Sequence, residues 1–422
     1  MALWHVKVAL MFAAAFVWRR LLFRTTFIAI TGSVGKTSAK EMLAAILATR
    51  YPTAKSFANQ NDYAGVPRSL LRVRPRHRFA VLEVAANGRG LMGRSAPLVR
   101  PDIAVVLAVA ETHRTEFGTL ERTAAEKARL LAALRPSGTA VLNGDDPRVA
   151  AMAVGLQRRV VRFGTSPDFE YCAQRTSSSW PEGTSFELNA GSKPYFVRSR
   201  LLGVQWQSSI LAALAVADRL GIPPAESVAA VAAVEPVTAR MQPVTLPSGA
   251  VMIRDDYGCP RPTLLSALDF FERTTAERKI LVFSDMTDTS LSPKKRFAWI
   301  GRYAARCLDA VVFVGEQAAR GAKAATAAGL PATAAHAFVD VHEAARFLRR
   351  ELRSGDLVLL KGRSCDHVTR IYYGLIGTVA CRKKLCRKTI VCDLCPELGA
   401  RPDAGQALPA VFGAPAGARD GG

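Results

Sequence analysis

The chain has 422 residues, 49% hydrophobic and 22% charged, with 31 Gly and 23 Pro. That length allows two or three globular domains, and the composition excludes collagen-like, fully disordered and polytopic membrane chains. Lys and Arg total 57 against 35 Asp and Glu, a net +22, so anionic partners are expected: nucleotide, polyanionic substrate, nucleic acid or acidic lipid.

The first predicted element is the apolar run VALMFAAAFVW at 8–18, preceded by Lys7 and followed by Arg19, Arg20 and Arg24. A membrane-crossing helix needs about 20 apolar residues, reached here only from Met1 to Phe23 with the basic side chains snorkelling. No small-residue cleavage site follows. Residues 1–25 therefore read as a hydrophobic and basic helix, either a membrane anchor, spanning or interfacial, or a helix packed on the domain. The positive charges place the rest of the chain in the cytoplasm, at the inner face of the membrane.

Next come short apolar runs alternating with helical patterns. FIAI at 27–30, FAVLEVA at 79–85, IAVVLAV at 103–109, TAVLN at 139–143 and VVRFG at 160–164 predict strands, and 36–49, 120–134 and 208–220 predict helices. Residues 172–200 are more polar and read as a hairpin-like excursion. A second series begins with VMIRDD at 251–256, KILVFSD at 279–285, AVVFVG at 310–315 and GDLVLLKG at 355–362, with helices at 264–271, 297–306 and 341–352. The expected fold is α/β: a P-loop central domain with a mostly parallel sheet at 26–242, and a smaller Rossmann-like α/β domain at 243–378. Residues 379–422 form a Cys-rich basic segment and an Ala, Gly and Pro-rich tail expected to be disordered.

The strongest chemical signal lies where FIAI runs into Thr31, Gly32, Ser33, Val34, Gly35, Lys36, Thr37 and Ser38 and then a helix. Glycines let backbone N–H groups approach phosphate oxygens, and the helix N-terminus adds partial positive charge. Lys36 reaches the outer phosphates and Thr37 can ligate Mg2+. Ile30 stands where the longer G-x-x-x-x-G-K-[ST] pattern has Gly, so this is a shorter variant. Glu83 ends a buried strand, where a carboxylate can reach Mg2+ held by a triphosphate. His113 also follows a strand end, and Lys127 lies on a helix beside Glu126 and Arg129.

SFANQNDYAGVPRSLL, AVLEVAANGRG, the long stretch from RPDIAVVL through AETHRTEFG to AAEKARLL, and SGTAVLNGDD follow in order, and together they resemble the Mur ligase family. The branch most similar adds D-alanyl-D-alanine to a UDP-N-acetylmuramoyl tripeptide, and the likeness covers about residues 26–375. The resemblance implies an ATP- and Mg2+-dependent ligase joining a carboxylate to an amine through an acyl phosphate, without the N-terminal uridine-nucleotide domain of full-length members. It assigns Thr37, Glu83 and His113 to metal and gives Lys127 a carbamylated counterpart that contacts a second Mg2+, with Lys36, His113 and Lys127 as the catalytic set. Asn59, Asn61, Gly65 and Pro67 match a loop over the acyl substrate, with Asp62 in place of Asn.

Other positions depart from the pattern. Gln205 and Ser209 replace a His and an adenine-facing Asn, which alters or weakens adenine recognition, while Arg240 still matches the Arg closing the central domain. Asp255 and Tyr257, in a shortened D-D-S-Y-N-A-N-P, are expected to border the nucleotide. Asp285, Lys361 and Arg363, in altered strand-end motifs, are expected to touch an amine substrate different from the family's.

Cys381, Cys386, Cys392 and Cys395 offer thiolates for Zn2+, although only the last pair has the usual two-residue spacing. Basic residues interleave with them and could touch anionic lipid. No aromatic interleaving accompanies them, so no specific nucleic acid is expected. Two rival readings remain at this point: a polymerising ligase of the poly-γ-glutamate synthetase type, and a non-catalytic nucleotide-binding scaffold on a membrane.

Overall fold

The computed structural model describes residues 2–58, 60–111, 114–191, 193–384, 386, 388, 390–403 and 406. Asn59 and His113 lie outside the described residues, as does the tail from 407 onward. The chain divides into two compact units, Met1–Glu235 and Pro236–Gly422, whereas the sequence suggested a break after residue 242.

In the first unit the strands are β1 (Thr26–Thr31), β2 (Thr53–Lys55), β3 (Phe79–Glu83), β4 (Ile103–Val106), β5 (Thr139–Asn143), β6 (Arg159–Gly164), β7 (Tyr171–Ser179), β8 (Gly183–Asn189) and β9 (Pro194–Ser199). They form one sheet in the order β2-β3-β1-β4-β5-β6-β7-β8-β9. Pairing is parallel as far as β7 and antiparallel from β7 to β9. The polar excursion is thus a three-stranded meander extending the main sheet. β3, β4 and β5 are buried along their whole length, which is why they read as unbroken apolar runs rather than alternating ones.

The helices of this unit are α1 (Ala2–Leu21), α2 (Lys36–Ala48), α3 (Gly65–Arg72), α4 (Leu91–Val99), α5 (Arg114–Phe117), α6 (Leu120–Ala132), α7 (Pro147–Ala151), α8 (Gln207–Arg219) and α9 (Pro224–Ala233). α1 is not a separate anchor. Its Val8, Ala15 and the following Leu22 are buried. Trp18 Nε1 donates to Val73 O at 2.9 Å, and Arg19 donates to Val99 O at 2.7 Å and Arg100 O at 2.8 Å. No helix among the described residues is long and apolar enough to cross a membrane. The spanning form of residues 1–25 is therefore corrected: a helix fixed to the domain along one face by Arg19, itself only 4% exposed, is not a lipid-embedded span.

In the second unit the strands are β10 (Gln242–Thr245), β11 (Val251–Asp255), β12 (Arg278–Phe283), β13 (Ala310–Val314), β14 (Ala335–Phe338) and β15 (Asp356–Lys361), in the order β10-β11-β15-β12-β13-β14. Only β10 is antiparallel. α10 (Arg261–Arg273), α11 (Pro293–Cys307), α12 (Ala318–Ala327), α13 (Val341–Glu351) and α14 (Thr369–Ile376) pack on it. The basic segment continues this unit: β16 (Gly377–Val379) pairs with β17 (Ala400–Pro402). Its Asp393 accepts two bonds from the fully buried Arg254, each at 3.0 Å.

Candidate active site

In the first unit β1 lies between β3 and β4, where the strand order reverses and the carboxyl ends open a crevice. Ile30 is in register with Glu83, so the loop leaving β1 and the carboxylate ending β3 emerge side by side. The loop runs along the chain beyond β4: Ser33 N donates to Ala108 O at 2.8 Å, and Ala110 N donates to Ser33 Oγ at 2.9 Å. A Cβ on Gly32 would lie 2.9 Å from Leu107 Cβ, so only glycine fits there. Gly35 caps α2 at φ 83° and supplies no side-chain bond to the first turn, and a helix N-terminus of this kind attracts a phosphate. Lys36 Nζ donates to Gly32 O at 2.7 Å, across the same loop.

Three polar side chains meet here. Thr37 Oγ1 donates to Glu83 Oε2 at 3.0 Å and Asn61 Nδ2 to Glu83 Oε1 at 2.6 Å. Glu83 is 1% exposed, and its backbone N–H donates to Ser56 Oγ at 3.1 Å. Lys127 comes from α6, which is capped by Thr119, whose hydroxyl accepts from Arg122 N, and which buries Glu126 and Lys127 on its inner face. Burial first, and then the Lys36 ammonium, lower the Lys127 pKa to about 7, with Glu126 acting in the opposite sense. Oxygen donors from a hydroxyl and a carboxylate suit Mg2+, and uncapped helix N–H groups suit phosphate, so the residues present fit a magnesium nucleotide.

Two contacts escaped the sequence reading. Lys40, completely buried, donates to Ser56 O at 2.9 Å and Ala58 O at 2.5 Å and pairs with Glu41 at 2.9 Å. Its signal was a lysine one turn beyond Lys36, indistinguishable in sequence from a solvated helix charge. Ser209 on α8 donates its hydroxyl to Gly35 O at 3.2 Å, and a Cβ on Gly35 would stand 2.6 Å from it. Ser209 thus packs against the phosphate loop itself.

In the second unit the expected nucleotide and amine residues form two groups. The Arg240 guanidinium lies 4.4 Å from the Tyr257 ring centre. Asp255 accepts from Met241 N at 3.2 Å and pairs with Lys361. Burial raises the Asp255 pKa, against the pull of Lys361. Lys361 is 1% exposed and also donates to Gly258 O at 3.0 Å, so its ammonium points into the fold. The other group surrounds a cavity of about 310 Å³ at the carboxyl ends of β12, β13 and β15. There Asp285 accepts from Arg296 at 2.5 and 2.6 Å, and Arg363 donates to Asp366 at 2.9 and 2.7 Å.

The zinc expectation is corrected. Among the described residues no group of three His, Cys, Asp or Glu is placed to hold a metal ion. Burial raises the Cys392 thiol to about 12, its Sγ lies 3.3 Å from His367 Nδ1, and the Arg370 guanidinium stands 3.9 Å from Cys381 Sγ. Burial that keeps the Cys392 thiol protonated opposes thiolate ligation, although the Arg370 guanidinium pulls the other way.

The fold and the loop define a P-loop α/β protein built to hold a nucleoside triphosphate. Residues 30–217 match the Mur ligase middle domain and residues 239–364 the Mur ligase, glutamate ligase domain. The UDP-N-acetylmuramoyl-tripeptide--D-alanyl-D-alanine ligase of Mycobacterium tuberculosis is 32% identical over 377 residues, 84% of this chain and 74% of that protein. Its Escherichia coli counterpart is 30% identical over 313 residues, 73% and 68% of the two chains. A crystal structure of MurF from Acinetobacter baumannii superposes with TM-score 0.80 at 25% identity, covering 87% of this chain and 80% of that one. The chain belongs to the Mur ligase family. It is an ATP-dependent ligase that forms a C–N bond between an acid and an amine.

Proposed function

We propose that the enzyme acts in cell-wall peptide synthesis, extending a muramoyl-peptide carboxylate with an amino acid or dipeptide of the D-alanyl-D-alanine kind. A carboxylate oxygen attacks the γ-phosphorus, the bond to ADP breaks, and an acyl phosphate forms. The amine nitrogen then attacks the acyl carbon, phosphate leaves, and the ammonium proton passes to solvent or a base. The observation carrying this reading is the Thr37–Glu83–Asn61 network beside Lys36 and Lys127.

Lys36 and the α2 N-terminus hold the phosphates and offset their charge. Thr37 and Glu83 would hold Mg2+, with His113 as a further ligand, and the metal supplies Lewis-acid stabilisation of the transferred charge. A Lys127 pKa lowered to about 7 leaves a substantial neutral amine fraction at neutral pH, which is the form that carbamylation requires. Asn59 and Asn61 hold the acyl substrate, Arg240, Asp255 and Tyr257 border the nucleotide, and Asp285, Arg363 and Lys361 serve the amine, Lys361 by fixing the loop at Gly258.

The test is phosphate release from Mg-ATP with muramoyl tripeptides and a panel of amino acids and dipeptides. Release that requires both acid and amine, with a single amide product, is expected. No affinity for any purine triphosphate with magnesium overturns the reading. Repeated addition would point to the polymerising alternative, and binding without substrate-dependent hydrolysis to the scaffold.

We also propose an interfacial, in-plane membrane contact through α1. Its outer face exposes Val6, Leu10, Phe16, Val17 and Leu21, continued by Phe23, and the helix contains no acidic residue. Lys7 and Arg20, with Arg24 beyond the helix, complement acidic headgroups. Co-sedimentation with phosphatidylglycerol vesicles that weakens in salt and is lost in Leu10→Asp/Val17→Asp is expected. Equal retention by the variant overturns it.

A further inference from the structure

The cavity of the second unit has a wall that the family match does not include. Strand ends supply Asp285, Glu316, Arg363 and Asp366, and α11 supplies Arg296, but Lys384 and Cys386 come from the segment beyond residue 364, where the ligase-domain match stops. That segment is folded against the unit. Tyr373 Oη donates to Asp393 at 3.0 Å, the Arg370 guanidinium donates to Lys383 O, and Lys383 pairs with Glu397 at 2.7 Å. Lys384 thus lines the cavity directly after an anchored residue, Lys383.

Most of the charge lining the cavity is already matched. The Arg296 guanidinium is spent on Asp285, and Arg363 is bonded to Asp366 with Asp285 a further 3.7 Å away. Glu316 and Lys384, both exposed, make no ion pair or side-chain hydrogen bond among the described residues. A ligand entering the cavity therefore meets, among the described residues, one uncommitted cation, Lys384, and one uncommitted anion, Glu316. A volume of about 310 Å³ accommodates an amino acid or small dipeptide.

We infer that this cavity receives the amine substrate as a zwitterion whose carboxylate is read by Lys384, so that the C-terminal segment sets amine specificity. Glu316 supplies the opposite sign, which disfavours a ligand that is only anionic. The inference rests on the ligase reading and on the amine binding in this unit.

The test uses the full chain with two probes, D-alanyl-D-alanine and its C-terminal amide, in both turnover and direct binding titrations. Wild type should prefer the carboxylate probe about tenfold in kcat/KM, through KM. Lys384→Ala should bring the two probes to similar values, Lys384→Arg should restore most of the preference, and Lys384→Glu should reverse it. A wild type that does not discriminate in either assay, binds neither probe, or loses both equally on Lys384→Ala overturns the inference. Absence of acid- and amine-dependent phosphate release in wild type overturns the ligase reading instead, and the binding titration still decides the role of Lys384.

Discussion

The carboxyl ends of the two sheets make an instructive contrast. In the first unit the polar groups are bonded to one another: Thr37 and Asn61 both donate to Glu83, and Ser56 accepts from its backbone. In the second unit the matched charges line an open cavity, and among the described residues Glu316 and Lys384 remain uncommitted. A site that handles the same triphosphate in every turnover gains from groups held rigidly before the ligand arrives. On the proposed reading, a site that selects among amines is tuned by a few charges on its wall.

The contrast can be broken most strongly at the phosphate loop. Lys36→Ala should lower substrate-dependent ADP release by about 10³-fold with an unchanged circular dichroism spectrum, since its ammonium donates to a loop carbonyl, that of Gly32. In the second unit the largest effect should be on stability. Arg254→Met leaves Asp256 and Asp393 buried without their cation and should cost about 3–5 kcal/mol by urea unfolding. A small cost would mean that the segment carrying Lys384 is not part of this unit's core.

Arg19→Ala tests whether α1 belongs to the first unit. Losing donors to Val99 O and Arg100 O should cost about 2 kcal/mol, whereas a freely hanging anchor would show no change in unfolding midpoint. The smallest effect is a slope. The unfolded chain keeps the Lys127 proton to a pH of about 10.4, but the folded chain releases it near about 7. Between those values the unfolded state binds more protons, so this group makes stability rise with pH, by at most about 1.4 kcal/mol per unit. In carbonate-free buffer, Lys127→Met should show a flatter dependence over that window.

Much of the first unit was legible because its signals are local. The β1–loop–α2 passage needs glycines, a lysine and a hydroxyl within a few residues, and buried parallel strands announce themselves as apolar runs. The same logic picked out Glu83 at the end of a buried strand, whereas Lys127 was singled out by the family resemblance, its own surroundings reading as a solvated helix charge; both are buried. What escaped depends on distant partners. Nothing near Lys40 says that its ammonium ends on Ser56 and Ala58 carbonyls, and nothing near Arg254 points to Asp393, 139 positions away. The Cys-rich segment misled for that reason. Its spacing suggested metal, while Cys392 is a buried thiol beside His367 and Asp393 closes an ion-pair network. α1 misled in part: its apolarity was read correctly, but the bonds of Trp18 and Arg19 to other segments were invisible in the run itself.

One side chain mechanically joins two tasks of the first unit. α2 carries Lys36 and Thr37 at its start and Lys40 one turn later, and Lys40 grips the strand exit that leads toward Asn61. Through those two bonds a shift of α2 would carry the backbone at Ser56 and Ala58 with it, as if through a crank. On the proposed function, a change at Lys40 should therefore uncouple nucleotide occupancy from acid binding, although its ammonium is bonded to the carbonyls at 56 and 58.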